Sequence, residues 1–264
     1  MPGFRPRFFV SPLDVPFPID DAAEPDLDLS GVEVSLTAED SHHALRVLRL
    51  SEGDECEAVV GAAVHAAVLV AAAHPVRIRL GARLEGVAAG ADYRFQVGLV
   101  QALARPAVMD YVLEKGTEVG ASFFILLRAA GSPKRSDPPR GERLARWRRI
   151  AQEAAKQSKQ VAVPPVDLAA SVGDALDALR ERGALSLVLD PAASDGLQEM
   201  VARQQAQAMC VALWVGPESG WTGAESEQFL AADIGSARLG RSVLRTETAG
   251  PVAVAVARLA LRDW

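Results

Sequence analysis

Cysteine is scarce in this chain of 264 residues, and no metal-binding pattern is present. The two cysteines, Cys56 and Cys210, lie far apart and form neither a Cys-x-x-Cys pair nor the spacing of a zinc site. His65 and His74 also show no ligand spacing. We therefore expect no bound metal and a reducing, cytoplasmic setting in which thiols stay free.

Long apolar runs are also missing, and we expect no secretory leader. The first residues, MPGFRPRFFVSPLDVP, contain two arginines but no apolar run of leader length. The longest uncharged stretch, 58–76, approaches the length of a membrane helix, but it contains Gly61 and Pro75. We predict two short strands around a turn at Gly61, and no membrane span.

An excess of positive charge is absent, because 28 basic residues face 34 acidic ones and the formal net charge is -6. This balance excludes a globally basic nucleic-acid binder but permits a local basic face. One run carries a net charge of +5 over sixteen residues, and Lys156 and Lys159 extend it. Its cations are Lys134, Arg135, Arg140, Arg143, Arg146, Arg148 and Arg149. A solvated helix face and a phosphate-binding stripe both fit this run, and the acidic remainder of the chain favours the stripe.

The first 90 residues or so contain short β-rich runs broken by glycine and proline, which predict a small barrel. The predicted strands are Arg7–Val10, Glu33–Leu36, Asp54–Val60, Val64–Val70 and Val76–Leu84. One helix is predicted near Ser41–Leu50, and Gly86–Asp92 has the composition of a linker.

Strands and helices alternate in the rest of the chain, which predicts an α/β domain with a mostly parallel sheet. The predicted strands are Arg94–Gln101, Phe123–Leu127, Leu185–Leu189 and Met209–Val215. The predicted helices are Val108–Val119, Glu142–Lys159, Val172–Arg182, one capped by Thr222 and Glu225, and a last one containing Val252–Leu261. This last helix is so apolar that we expect it to pack against the sheet or a partner subunit.

Two glycine-containing loops are the best candidates for a site. GPESG, at Gly216–Gly220, directly follows a strand. In LGRSVLRTETAG, at Leu239–Gly250, Gly240 follows another predicted strand, and the segment leads into the last helix. Glycines at strand ends let the backbone approach a ligand, and ligands of parallel sheets bind at the carboxyl ends of strands. A plain turn and a helix cap are the alternatives. Neither loop matches a nucleotide-phosphate fingerprint, and no Ser-His-Asp or Cys-His arrangement is evident from spacing.

Six segments, taken together and in this order, resemble the RsmE family of 16S ribosomal RNA uridine-N3 methyltransferases, within the SPOUT superfamily. They are RFFV at Arg7–Val10, HHALRVLRLSEGDE at His42–Glu55, EKGTEVG at Glu114–Gly120, RWRRIAQEAAKQS at Arg146–Ser158, VGPESGWTGAE at Val215–Glu225 and LGRSVLRTETA at Leu239–Ala249. The resemblance covers essentially the whole chain.

The resemblance implies a PUA-like RNA-binding β-barrel over residues 1–88 and a SPOUT-type α/β methyltransferase domain over 92–264. The latter would end in a trefoil knot. It further implies S-adenosyl-L-methionine as cofactor, 16S rRNA or the assembled small subunit as partner, and a homodimer joined through the knot and the last helix.

Residue roles follow from the same resemblance. Arg245 would stabilise the uridine imide anion, and Glu218 would accept the proton or position the base. The cofactor would contact Leu189, Asp190, Pro191, Gly216, Pro217, Glu218, Ser219, Gly220, Leu239, Gly240, Val243, Leu244, Arg245 and Thr246. RNA would contact Arg7, His43, Arg46, Arg49, Arg143, Arg146, Arg149 and Lys156.

The chain departs from the family pattern at three places. Ser219 replaces a glycine of GPEGG, Lys159 and Gln160 replace the glycine and arginine of QSGR, and the region of Ala130 and Gly131 replaces a glutamate–arginine pair. Three alternatives therefore stay open: a SPOUT methyltransferase with another RNA target, a non-catalytic RNA-binding protein of ribosome assembly, and, least favoured, a nucleotide-dependent α/β metabolic enzyme.

Overall fold

A computed structural model describes residues 5–11, 14–15, 28–61, 63–84, 93–133, 141–204 and 208–264. The expected linker Gly86–Asp92 and the basic residues Lys134, Arg135 and Arg140 lie outside the described residues. The described residues form two compact units. The first unit combines the described residues up to 84 with Lys156–Ala162. The second unit comprises the described residues of Tyr93–Ala155 and Val163–Trp264. The segment Lys156–Ala162, which we expected in the second domain, thus packs with the first unit.

The first unit is built on a five-stranded sheet of order β1-β3-β4-β5-β2. Its strands are β1 (Arg7–Val10), β2 (Glu33–Ser35), β3 (Glu55–Val60), β4 (Ala63–Ala71) and β5 (Arg77–Arg83). Strands β1 and β3 are parallel and the other pairs antiparallel. All five strands lie where the alternating patterns predict them. Since β1 and β2 stand at the two ends of this order, closure into a barrel stays a prediction.

The helix of this unit begins earlier than predicted. Helix α1 (Ala38–His42) starts after Thr37, whose hydroxyl accepts a hydrogen bond from the Asp40 amide at 3.1 Å. This threonine cap fixes the start, and a π-helical turn over His43–Val47 completes the element.

The second unit is a six-stranded parallel sheet of order β11-β9-β10-β6-β7-β8. Its strands are β6 (Gln96–Ala102), β7 (Phe123–Leu127), β8 (Val166–Ala169), β9 (Leu185–Leu189), β10 (Cys210–Val215) and β11 (Gly235–Ala237). Its helices are α2 (Pro106–Glu118), α3 (Glu142–Gln157), α4 (Val172–Glu181), α5 (Leu197–Gln204), α6 (Gly223–Ala231) and α7 (Thr246–Ala260), and the last two residues of α3 belong to the first unit. The predicted α/β architecture with a parallel sheet is confirmed.

Two elements of this unit had not been predicted: β8 and α5. The strand expected before Gly240 is β11, which consists of Gly235, Ser236 and Ala237 and has no apolar run. Its Ser236 pairs with Val188 of β9, and this tertiary contact fixes the bounds of the strand, which local sequence does not encode.

The core of the second unit lies on both faces of β10, all of whose residues are buried. Helix α7 covers one face and buries Ala253, Val254 and Ala257, while Val252 and Leu259 stay exposed. The expected packing against the sheet is therefore present for one side of this helix. Among the described residues, no helix is long and apolar enough to cross a membrane.

Candidate functional site

One cavity of about 560 Å³ lies at the carboxyl ends of β9 and β10. Its wall is formed by Arg105, Leu189, Asp190, Pro191, Val215, Gly216, Pro217, Glu218, Gly220, Trp221, Leu239, Gly240, Ser242, Val243, Leu244, Arg245, Thr246, Glu247 and Ala249. The structure thus brings together every residue proposed to contact a cofactor except Ser219. Three loops that lie far apart in the sequence meet here, as is usual for ligand sites of parallel sheets.

The loop after β10 is a tight turn. The Gly220 amide donates to the Pro217 carbonyl at 2.8 Å, and Gly220 has a φ of +76°, a conformation that side chains disfavour. The turn keeps its backbone close to the cavity while the Glu218 side chain stays largely exposed, at 63%.

A buried threonine ties this loop to the start of α7. The Thr246 hydroxyl donates to the Gly216 carbonyl at 3.1 Å and accepts from the Gln101 side-chain amide at 3.0 Å. Both Gln101 and Thr246 are buried, so these bonds are shielded from water. The end of β6, the β10 loop and the N-terminus of α7 are therefore held in one arrangement.

The loop after β9 is anchored in a similar way. The Asp190 amide donates to the Ala237 carbonyl at 3.0 Å, which connects it to β11. One Asp190 carboxylate oxygen accepts from the Ala192 amide at 2.8 Å. This bond makes a local turn that keeps the Asp190 carboxylate at the cavity wall.

Ser219 faces away from the cavity wall, toward the loop that follows β7. Its hydroxyl donates to the Gly131 carbonyl at 3.4 Å. A Cβ added at Gly131 would lie 2.1 Å from that hydroxyl oxygen and 2.9 Å from a Pro217 ring carbon. The side chain expected to contact a cofactor instead fills space that is available because residue 131 is glycine.

Charged groups of both signs surround the cavity. The Arg245 side chain is 86% exposed, and its nearest acid is Glu247, with 3.9 Å between guanidinium nitrogen and carboxylate oxygen. Arg105 lies 3.5 Å from Glu218. With Asp190, the wall therefore carries two cations and three anions.

Six residues of the wall had not been predicted: Arg105, Val215, Trp221, Ser242, Glu247 and Ala249. All except Arg105 lie inside the two segments VGPESGWTGAE and LGRSVLRTETA, so the spacing alone could have included them. Arg105 follows β6, which is the sheet neighbour of β10, and only the strand order reveals that its loop reaches the same edge.

In the first unit, two of the residues proposed to bind RNA are buried in ion pairs, which corrects the prediction for Arg7 and Lys156. Arg7 is 3% exposed and bonds to Glu57, and Lys156 is 7% exposed and pairs with Asp40. Burial of such cations is tolerated because each is paired with a carboxylate, so neither is available to a phosphate. His43 is half-buried, whereas Arg46 and Arg49 are exposed on and after the π-helical turn.

In the second unit, Arg143, Arg146 and Arg149 are all exposed on α3. Arg146 donates to an Asp110 carboxylate oxygen at 2.6 Å, yet its side chain remains 63% exposed. The described part of α3 therefore presents a basic face to solvent.

The described residues contain no group of three or more histidine, cysteine, aspartate or glutamate side chains arranged to hold a metal ion. Both cysteines are buried free thiols, and burial raises the pKa of Cys56 to about 12. At neutral pH Cys56 is therefore a neutral thiol, which is a poor metal ligand and nucleophile.

Comparison with known proteins gives family matches in both units. Residues 91–258 match the model of an RNA methyltransferase domain, and residues 36–81 match an RNA methyltransferase PUA domain. A Mycobacterium bovis protein named ribosomal RNA small subunit methyltransferase E is 30% identical over 89% of each chain. A Bacillus subtilis protein of the same name is 27% identical over 81% of this chain and 85% of its own.

Solved structures give the same fold. A ribosomal RNA small subunit methyltransferase E from Neisseria gonorrhoeae, described as bound to S-adenosyl methionine, aligns with a TM-score of 0.77 at 24% identity. That alignment covers 97% of this chain and 98% of the other. The domain matches, the identity over most of the chain and the shared fold lead to one conclusion: the chain belongs to the RsmE family of RNA methyltransferases, with an N-terminal PUA-like domain.

Proposed function

We propose that the protein is an S-adenosylmethionine-dependent methyltransferase that modifies N3 of a uridine in 16S ribosomal RNA. The observation that carries this proposal is the cavity where three loops meet at the carboxyl edge of a parallel sheet, with Arg245 and Glu218 in its wall. Family membership supports methyl transfer to RNA, and the name shared by the relatives supports RNA of the small ribosomal subunit as substrate.

The wall residues fit this cofactor. A cavity of about 560 Å³ has the size of a small-molecule site, and Leu189, Leu239 and Leu244 supply apolar surface. Backbone groups of Gly216–Gly220 and of the Leu239–Gly240 turn would hold its polar parts. The three acids of the wall suit a ligand with positive sulfonium and ammonium groups. S-adenosylmethionine supplies the methyl group, which its positively charged sulfur makes electrophilic.

The protein's own task is to make uridine N3 nucleophilic. N3 carries a proton and attacks poorly until that proton leaves. Glu218 is exposed at the cavity and is our candidate to accept that proton, which leaves an electron pair on N3. That pair would displace the neutral thioether product from the methyl carbon, so that the nitrogen–carbon bond forms as the carbon–sulfur bond breaks. The negative charge that develops on the imide is stabilised by the Arg245 guanidinium, which has only a loosely held acid beside it.

We infer that the RNA backbone is bound by the exposed cations of each unit. In the PUA-like domain these are Arg46 and Arg49, and on α3 they are Arg143, Arg146 and Arg149. Exposed arginines neutralise phosphates without losing a buried partner. The half-buried His43 lies three residues before Arg46 in the π-helical turn, and we include it in the proposed RNA-binding surface of the PUA-like domain.

We further propose that the protein is a cytoplasmic homodimer whose last segment forms a trefoil knot. Exposed apolar side chains support the dimer: Val252 and Leu259 of α7 are 37% and 59% exposed, and Trp264 is 63% exposed. Tyr111 of α2 adds a 48% exposed aromatic ring, and α2 packs beside α7. Exposed apolar side chains on neighbouring helices are the kind of surface that a partner subunit would cover.

The test of the proposed chemistry is Arg245→Ala. In single-turnover assays with small ribosomal subunits, we expect the rate of methyl transfer to fall by about 100-fold or more, because one stabilising cation is lost. Cofactor affinity should change by less than about threefold, since the guanidinium acts on the base. Arg203→Ala is the control, because that arginine on α5 is also exposed and lies 3.8 Å from its acids. Wild-type turnover by Arg245→Ala would contradict the assignment.

A further inference from the structure

Arg105 has a place in the site that the proposed function does not yet use. It follows β6 and occupies the N-cap position of α2, and its side chain is 72% exposed while lining the cavity. Because β6 lies beside β10 in the sheet, the loop that carries Arg105 ends at the same edge as Gly216–Gly220.

The only acid within salt-bridge distance of Arg105, among the residues that the structure describes, is Glu218 at 3.5 Å. Both side chains are largely exposed, and an exposed pair of this length contributes little to stability. By contrast, the Arg146–Asp110 pair on the outer surface has nitrogen and oxygen 2.6 Å apart. The Arg105 guanidinium can therefore leave Glu218 for a ligand at small cost.

Arg245 is arranged in the same way at the start of another helix. It occupies the N-cap position of α7, is 86% exposed, and lies 3.9 Å from Glu247. Helices α2 and α7 pack against each other, and both of these N-cap arginines line the same cavity. The site thus contains two arginines on two different loops, each with a loosely held acid.

We propose that Arg105 is a second substrate-binding cation, and that Arg105 and Arg245 bind the two carbonyl oxygens that flank N3 of the uracil. This inference rests on the proposed function. Loss of the N3 proton spreads negative charge over both carbonyl oxygens, so one guanidinium for each would stabilise the anion on both sides. A guanidinium has five N–H donors and no acceptor, so it matches a carbonyl oxygen.

The same arrangement selects uracil over cytosine. Cytosine has an amino group where uracil has one of the two carbonyls, and an amino group facing a guanidinium places two donors against each other. Such an unpaired donor near a charge disfavours the wrong base. The two arginines would thus act in both catalysis and base selection.

The experiment measures single-turnover methyl transfer to small subunits from pH 6 to pH 9, for wild type and for Arg105→Gln, Arg105→Lys and the control Arg203→Gln. We expect Arg105→Gln to slow transfer by about 10- to 100-fold at neutral pH. Its rate should rise toward the wild-type rate at high pH, where N3 ionises with less help. Arg105→Lys, which keeps the charge, should lie between the two, and cofactor affinity should stay within about threefold in all variants.

A double-mutant cycle separates base contact from an effect through Glu218. If Arg105 only positions Glu218, Arg105→Gln will add no loss in the Glu218→Gln background, and the inference is overturned. If it contacts the base, the two losses will multiply. Arg105→Gln with the wild-type rate and pH profile would also overturn it while leaving the proposed function standing. The absence of transfer by the wild type would instead refute the proposed function.

Discussion

The Ser219 hydroxyl occupies space beside the site that a side chain at position 131 would fill. At these two positions the chain departs from the pattern that its resemblance to the family implies, with glycine at residue 219 and a glutamate–arginine pair in the region of Ala130 and Gly131. In the structure a Cβ at Gly131 and the Ser219 hydroxyl oxygen would be only 2.1 Å apart. We therefore interpret the two departures as one coupled change in packing behind the loop Gly216–Gly220.

Gly131→Ala should weaken cofactor binding, because the new methyl group must displace Ser219 and press on the Pro217 ring. Such overpacking costs about 1–3 kcal/mol. Ser219→Gly in the same chain should recover part of the lost affinity, measured by calorimetric titration with S-adenosylmethionine. Gly223→Ala is the control, because an added Cβ there meets nothing within 4 Å. Equal affinities of Gly131→Ala with and without Ser219→Gly would contradict the coupling.

At the scale of elements, Arg258 connects the end of helix α7 to the first residues of the second unit by hydrogen bonds. This side chain is 0% exposed and donates to the carbonyls of Phe95 and Gly120, to the Ser122 hydroxyl and to the Asp263 carboxylate. Its guanidinium also lies 3.5 Å from the centre of the Tyr93 ring. All three nitrogens of the buried Arg258 guanidinium donate hydrogen bonds, so the end of α7 is fixed in position.

Replacing Arg258 should lower the free energy of unfolding. Arg258→Met removes the guanidinium donor from two carbonyls and from the Asp263 carboxylate, which keeps its bonds from the Arg94 and Phe95 amides. Breaking a buried ion pair on one side costs about 3–5 kcal/mol. Urea unfolding should show this loss in the free energy of unfolding. Arg262→Met, at an exposed arginine one turn further along, should change it by less than about 0.5 kcal/mol. If Arg258→Met lowers the free energy of unfolding no more than Arg262→Met does, this role of Arg258 is contradicted.

Elements with a strong local pattern could be predicted from the sequence. The short apolar runs Phe123–Leu127 and Leu185–Leu189 coincide with β7 and β9, and Thr222 and Glu225 form the predicted capping box. The strand Val166–Ala169 was not predicted, because it has only four residues and it is the pairing with β7 that makes it a strand. Arg105 was missed for a related reason: strand order, which is a property of the whole sheet, brings it to the site.

At the scale of the whole molecule, the division into two units is discontinuous in sequence. The segment Lys156–Ala162 joins the first unit through the buried Lys156–Asp40 pair and through Arg7, which bonds to the Gln160 carbonyl at 3.2 Å. These contacts are long-range, so the burial of Lys156 cannot be predicted from the local basic run. The same run does predict the exposed arginines of α3, because an amphipathic pattern is local.

The measurement that tests the central claim most directly is product identification. Small ribosomal subunits that lack the modification are incubated with the wild-type protein and methyl-labelled S-adenosylmethionine, and the labelled nucleoside is then identified by mass spectrometry. The account predicts 3-methyluridine at a single position of 16S rRNA. Label in another nucleoside, or no label in RNA while the cofactor is bound, would contradict it.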